Sequence, residues 1–191
     1  VAWANDQDLG PTFVVGHSVG GQLMGLLDNP ALVAGMVTVS AQSGHWRFQG
    51  GWQKAAVAVH SYLTLPLAAR LIGYVPWSRL AAGEDLPQGV ALEWARWCRD
   101  PEYVLGDDTL PLQRYREFTA PILALSVSDD SWGTARSVKV MMRAYPTVTH
   151  REVRPDDAML STLGHMGFFR PAAKPLWSIV VDWFERQPRV S

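Results

Sequence analysis

The sequence predicts an α/β protein: a mostly parallel sheet flanked by helices and interrupted by a helical insert. Three observations carry that reading. Its apolar runs are nearly continuous rather than alternating, as strands of a parallel sheet buried on both faces are. The first run leads through a glycine-rich turn into a helical pattern, the order strand, turn, helix. Between the second run and the third lie about seventy residues, His45 to Phe118, far more than a single crossover helix with short loops requires.

Thr12 to Val15 is the first predicted strand, followed by a helix from Val19 to about Leu27 that must end at Asp28-Asn29-Pro30, where proline forbids continuation. Gly35 to Val39 is the second strand. Pro121 to Val127 is the third, closing on Ser128-Asp129-Asp130-Ser131. A helix from Thr134 to about Tyr145 follows, with Thr134 as N-cap and Pro146 as stop. Val148 to Val153 alternates more than the others and so suits a half-exposed edge strand. The last helix, Lys174 to Glu185, places Leu176, Trp177, Val180, Val181 and Phe184 on one face.

The core is therefore expected over 1–45 and 118–191, with a helical cap or lid insert over 46–117. Within the insert, Gln53 to Leu71 and Val90 to Arg99 read as helices, and Gly83 to Gly89 as the loop between them. Five of the nine tryptophans fall here: Trp46, Trp52, Trp77, Trp94 and Trp97. They suit either a lid over an apolar pocket, with Trp46 and Trp94 facing substrate, or the insert's own small core.

With 191 residues and a formal net charge of −1, the chain has no basic stripe and does not read as a nucleic-acid binder. Cys98 is the only cysteine, so no disulfide forms within the chain, and a cytoplasmic location is expected. The N-terminal residues lack the pattern of a signal peptide. Ala55 to Ala69 contains no charged residue, but falls short of the roughly 20 apolar residues a spanning helix needs, so no transmembrane segment is predicted. No metal-ligand spacing and no phosphate-binding loop occurs, and no cofactor is expected.

The chemistry centres on Gly16-His17-Ser18-Val19-Gly20, a G-x-S-x-G turn between a buried strand and a helix. A serine on so tight a bend needs small neighbours, and Gly16 and Gly20 are assigned that part. Ser18 requires a histidine to take its proton and a carboxylate behind that histidine. Asp129 and Asp130 follow the third strand, and His165 lies past the fourth in Leu163-Gly164-His165-Met166-Gly167, so all fall at the carboxyl edge of the sheet. His17 packs beneath the turn or contacts substrate, and His45 is either a substrate contact or a polar packing group.

The order serine, aspartate, histidine together with these motifs resembles the α/β-hydrolase superfamily. The likeness covers nearly the whole chain outside the insert. The segments Gly83 to Pro87, Leu92 to Cys98 and Gly164 to Phe169 are further similar to a bacterial group of predicted α/β hydrolases. The resemblance implies a catalytic Ser18, Asp130 and His165. Asp130 is preferred to Asp129 as the fourth residue of a G-x-x-D turn, in which Val127 replaces the glycine. It also implies an oxyanion donor in the Val19 backbone N–H, a second donor from a loop outside these residues, and a small apolar acyl substrate. An ester is the first expectation; a thioesterase, acyltransferase or peptidase on the same scaffold, or a non-catalytic binding protein, are the alternatives. Finally, it implies that the strands here are the fifth to eighth of a larger sheet. The chain is then expected to be the C-terminal portion of a longer hydrolase, able to self-associate through the uncovered sheet edge.

Overall fold

The computed structural model describes residues 1–7, 10–80 and 84–187. Its elements in chain order are α1 (Ala2–Asp6), β1 (Phe13–His17), α2 (Val19–Gln22), β2 (Gly35–Val39), α3 (Gln53–Val59), α4 (Leu65–Ile72), β3 (Tyr74–Val75), β4 (Leu86–Pro87), α5 (Gln88–Arg99), α6 (Gln113–Glu117), β5 (Ile122–Val127), α7 (Ala135–Met142), β6 (Val148–Val153) and α8 (Lys174–Glu185). They fall into two compact units, 1–43 with 108–191, and 44–107.

The first unit is built on a parallel sheet in the order β1-β2-β5-β6. The sequence pattern explains which strands are central. Every residue of β2 and β5 is buried, as continuous apolar runs require, whereas four of the six residues of β6 are exposed and that strand lies at an edge. Strand side chains alternate between faces, so Val37, Val39, Leu123 and Leu125 share one face and pack with Leu176 and Val180 of α8. On the other face Thr38 reaches Met142 of α7. In α8 the packed row includes Trp183 and Ile179, while Val181 is 52% exposed, which corrects the face expected from the sequence.

The turn after β1 differs from the expected long helix. Only Val19–Gln22 is α-helical, and Leu23–Leu26 tightens into a 3₁₀ turn. Glycines at 20, 21 and 25 weaken helix propagation here, and Gly25 is held for a separate reason: a Cβ on it would lie 2.2 Å from the Tyr115 ring. Tyr115, fully buried, donates its hydroxyl hydrogen to the Gln22 carbonyl. This packing assigns 108–117 to the sheet-bearing unit, not to the insert as the sequence reading had it.

The steric requirement at the turn also shifts by one residue. A Cβ on Gly16 would meet Gly21 Cα at 2.7 Å, and one on Gly21 would meet the Ala41 Cβ at 2.7 Å, but nothing lies within 4 Å of a Cβ on Gly20. Gly20→Ala is therefore expected to fold with a melting temperature at or slightly above that of the parent, and Gly21→Ala with a clearly lower one. Thermal unfolding of the pair checks this, and equal losses would refute the assignment.

In the second unit, α3, a π turn (His60–Thr64) and α4 form one continuous helical run over 53–72. Pro66 lacks an N–H and cannot complete the ladder, and the wide turn just before it absorbs that gap. This run packs on α5 through Leu65 and Ala69 against Ala91 and Ala95. The loop expected over 84–89 contains the short β4, paired antiparallel to β3, and α5 begins two residues earlier than expected; Gly83 lies outside the described residues. At 20 residues, Gln53–Ile72 is also long and apolar enough by length and composition to cross a membrane, which corrects the shorter length read from the sequence.

Candidate active site

Ser18 occupies the bend between β1 and α2 with φ 48° and ψ −122°, a conformation that side chains other than glycine's rarely adopt. Three backbone bonds hold it there: Ser18 N–H donates to the Val39 carbonyl, and the Ser18 carbonyl accepts from Gly21 N–H and Gln22 N–H. The neighbouring Val19 N–H, at the start of α2, meets no acceptor among the described residues.

His165 comes from the loop after β6. Its Nε2 lies 3.1 Å from Ser18 Oγ and its Nδ1 2.8 Å from Asp130 Oδ2. The carboxylate only accepts, so Nδ1 carries the hydrogen, which leaves Nε2 to receive the serine hydroxyl. Asp130 is almost wholly buried, and its other oxygen accepts from Trp132 N–H and Gly133 N–H, each at 2.9 Å. Burial acts to raise this carboxyl, but the bonds from His165 and Gly133 outweigh it and hold Asp130 below the ordinary carboxylate range. The buried Ser40 hydroxyl adds to that lowering without reaching regular hydrogen-bond geometry.

Asp129 does something the sequence did not disclose. It is no free turn carboxylate but grips the histidine loop. One oxygen accepts from Thr162 Oγ1 and Leu163 N–H at 2.7 and 2.9 Å, the other from Gly164 N–H at 3.0 Å. Gly164 adopts φ +58°, which places its N–H toward Asp129 at no steric cost. The N-terminus of α7 is capped by Thr134 instead, whose hydroxyl accepts from Ser137 N–H. Adjacent carboxylates thus hold the backbone and the ring of the same loop.

His17 grips that loop from the side of β1. Its Nε2–H donates to the His165 carbonyl at 2.9 Å, and its ring lies 4.9 Å from that of His165 and 5.2 Å from that of Phe169. Burial lowers its pKa, so it stays neutral at physiological pH. Of the two roles expected for His17, packing at the turn and contact with substrate, this bond commits its Nε2 to holding the histidine loop. No sequence signal distinguishes that use, because the two residues are 148 positions apart.

The remaining expected substrate contacts lie in the second unit. His45 is buried, donates from Nδ1 to the Cys98 carbonyl at 3.1 Å, and packs its ring on Trp46 and Phe48. Trp46 carries the Arg47 guanidinium 4.9 Å from its ring centre. Trp94 donates to the Tyr103 hydroxyl at 3.1 Å and meets Trp77 edge to face. These bonds make all three part of the insert's own packing. Cys98 is buried, and burial pushes its thiol up to about 12, which removes it as a nucleophile near neutral pH. Among the described residues no group of three His, Cys, Asp or Glu side chains is placed to hold a metal ion.

A strand-borne serine, a histidine and a buried carboxylate in that chain order, at the carboxyl edge of a parallel sheet, define the hydrolase class, and the chain belongs to the alpha/beta hydrolase family, whose model matches residues 1–174. Among solved structures it is similar to a non-heme bromoperoxidase of Mycobacterium tuberculosis described as putative, with 20% identity and a TM-score of 0.55, over 98% of this chain and 71% of that one. The monoacylglycerol lipase of Paleococcus ferrophilus gives 13% identity and a TM-score of 0.56, over 98% and 73%. An esterase from a Rhodococcus species gives 17% identity and a TM-score of 0.53, over 98% and 70%. At these identities the likeness is one of fold. No curated protein matches the sequence.

Proposed function

We propose that this chain is a serine hydrolase acting on a carboxylic ester or related acyl substrate through an acyl-enzyme. The row Ser18 Oγ, His165 Nε2, His165 Nδ1, Asp130 Oδ2, at 3.1 and 2.8 Å on a strained turn, is the observation that supports it. Ser18 Oγ attacks the substrate carbonyl while its proton passes to His165 Nε2, and the Asp130 carboxylate stabilises the imidazolium that forms. The negative oxygen of the tetrahedral intermediate is met by the Val19 N–H, which is free to donate and sits at the positive end of α2. The proton on Nε2 then goes to the departing alcohol. Water, deprotonated by the same nitrogen, releases the acid and restores Ser18.

A fluorophosphonate probe tests the reading without knowledge of the substrate, because it reacts only with an activated serine. Covalent labelling of the protein at Ser18, absent in Ser18→Ala, is expected, together with hydrolysis of short p-nitrophenyl esters. Failure of folded protein to react with probe and ester alike would instead leave a hydrolase fold used for binding.

A further inference from the structure

The helical run over 53–72 carries two rows of side chains spaced every four residues. The inward row is Gln53, Val57, Ser61, Leu65 and Ala69, all buried. The outward row is Ala55, Val59, Leu63, Leu67 and Leu71, all exposed, with Leu71 at 80%. A helix that only packs on its own unit buries its more apolar side. Here the buried row contains two polar residues, whereas this exposed row contains none and stays apolar beside the exposed Lys54, His60, Thr64 and Arg70.

A strict four-residue spacing drifts around an α-helix by roughly 40° at each step. The π turn at His60–Thr64 holds more residues in one turn and takes up part of that drift midway along about 24 Å of helix. Tyr62 and Trp52, 57% and 71% exposed, add amphipathic rings beside the row and before its start.

Charge selects what covers this face. The run itself contains no Asp or Glu, its exposed Lys54 and Arg70 are cations, and Arg99 of α5 stands 5.7 Å from the Tyr62 ring. A second copy of this face would oppose like charge with like charge. An anionic lipid surface accepts the cations at its headgroups and the leucines at its acyl boundary. The helix lies on such a surface and does not cross it, because its inward row is already packed on α5.

We propose, independently of the catalytic reading, that the outward face of residues 53–72 docks this protein onto anionic membranes. Sedimentation with vesicles made of equal parts phosphatidylglycerol and phosphatidylcholine, and with phosphatidylcholine alone, tests it. Binding is expected to the first and to be at least about tenfold weaker to the second. Leu63→Glu with Leu67→Glu, both exposed and so compatible with an unchanged circular dichroism spectrum, should abolish it, and Lys54→Glu with Arg70→Glu should weaken it about tenfold or more. Three results would overturn the proposal: no binding to the anionic vesicles, equal binding to both kinds, or a concentration-dependent dimer in light scattering that the leucine substitutions dissolve.

Discussion

Asp130→Asn is expected to lower kcat by about 10⁴-fold, a loss far larger than its effect on folding stability. An amide at 130 fits the same space but presents N–H₂ to His165 Nδ1, which drives the imidazole hydrogen onto Nε2. Ser18 then faces a donor where it needs an acceptor, and the proton transfer has nowhere to go. Asp129→Asn should show the opposite balance. Asp129 accepts three hydrogen bonds from 162–164, and an amide oxygen can accept only part of that set, with loss of charge assistance. Bonds to a charged group are worth about 1.5–3 kcal/mol, so the melting temperature should fall by roughly 4–8 °C while activity drops about tenfold. Steady-state kinetics and thermal unfolding of the two variants side by side would separate these roles; a larger kinetic loss in Asp129→Asn would reverse the assignment.

The same pair predicts a dependence on pH. Both carboxyls are held below the ordinary value of 3.8: burial of each works to raise it, and hydrogen bonds to Asp129 from Thr162 and to Asp130 from His165 prevail. Carboxyls depressed in the folded state give stability that is complete above their unfolded value and lost as pH falls through their folded one. Asp129→Asn removes one of the two, so the variant should lose fewer degrees of melting temperature than the parent between about pH 5 and pH 3.

Gly16→Ala is expected to be clearly destabilising. The added carbon would lie 2.7 Å from Gly21 Cα and 2.9 Å from Gly21 N, which are backbone atoms that cannot rotate away. Overpacking of this kind costs about 1–3 kcal/mol, and with no side chain to yield it should fall at the upper end, roughly 6–12 °C in melting temperature. The displaced bend also moves Ser18 from His165, so fluorophosphonate labelling should slow by more than the loss of folded protein accounts for. Gly20→Ala, four residues along the same turn, provides the matched control.

Strands and helix limits were legible wherever a segment's structure follows from its own residues. Gly35–Val39 and Val148–Val153 emerge with the expected limits, because a run of apolar residues and its flanking turns are local facts. The Thr134 cap was equally plain. Ser18 and His165 could be picked out because each sits among glycines, Ser18 at the end of β1 and His165 in the loop after β6. What stayed hidden depends on meetings between distant segments. Nothing local tells that Asp129 bonds to residues 33–35 positions away, or that His17 reaches across 148 positions. Val181 was misplaced because a helix face is a stripe whose phase is set by the sheet it meets, and Trp183 is wide enough to claim that contact. The exposed apolar row of 53–72 was invisible for a related reason: a helix offers several rows at a spacing of four, and the sequence does not tell which of them is inside.

The backbone of Ser18 carries a further consequence. A non-glycine residue at φ 48° and ψ −122° costs of order 1–3 kcal/mol relative to glycine, which would occupy the same bend without strain. Random mutation screened only for thermal robustness would therefore drift toward glycine at position 18 and be rewarded for it. The serine persists in such a place only under a selection that stability does not supply. Libraries built to harden this protein should hold position 18 fixed, since the residue that makes it reactive is also the one its fold would most readily give up.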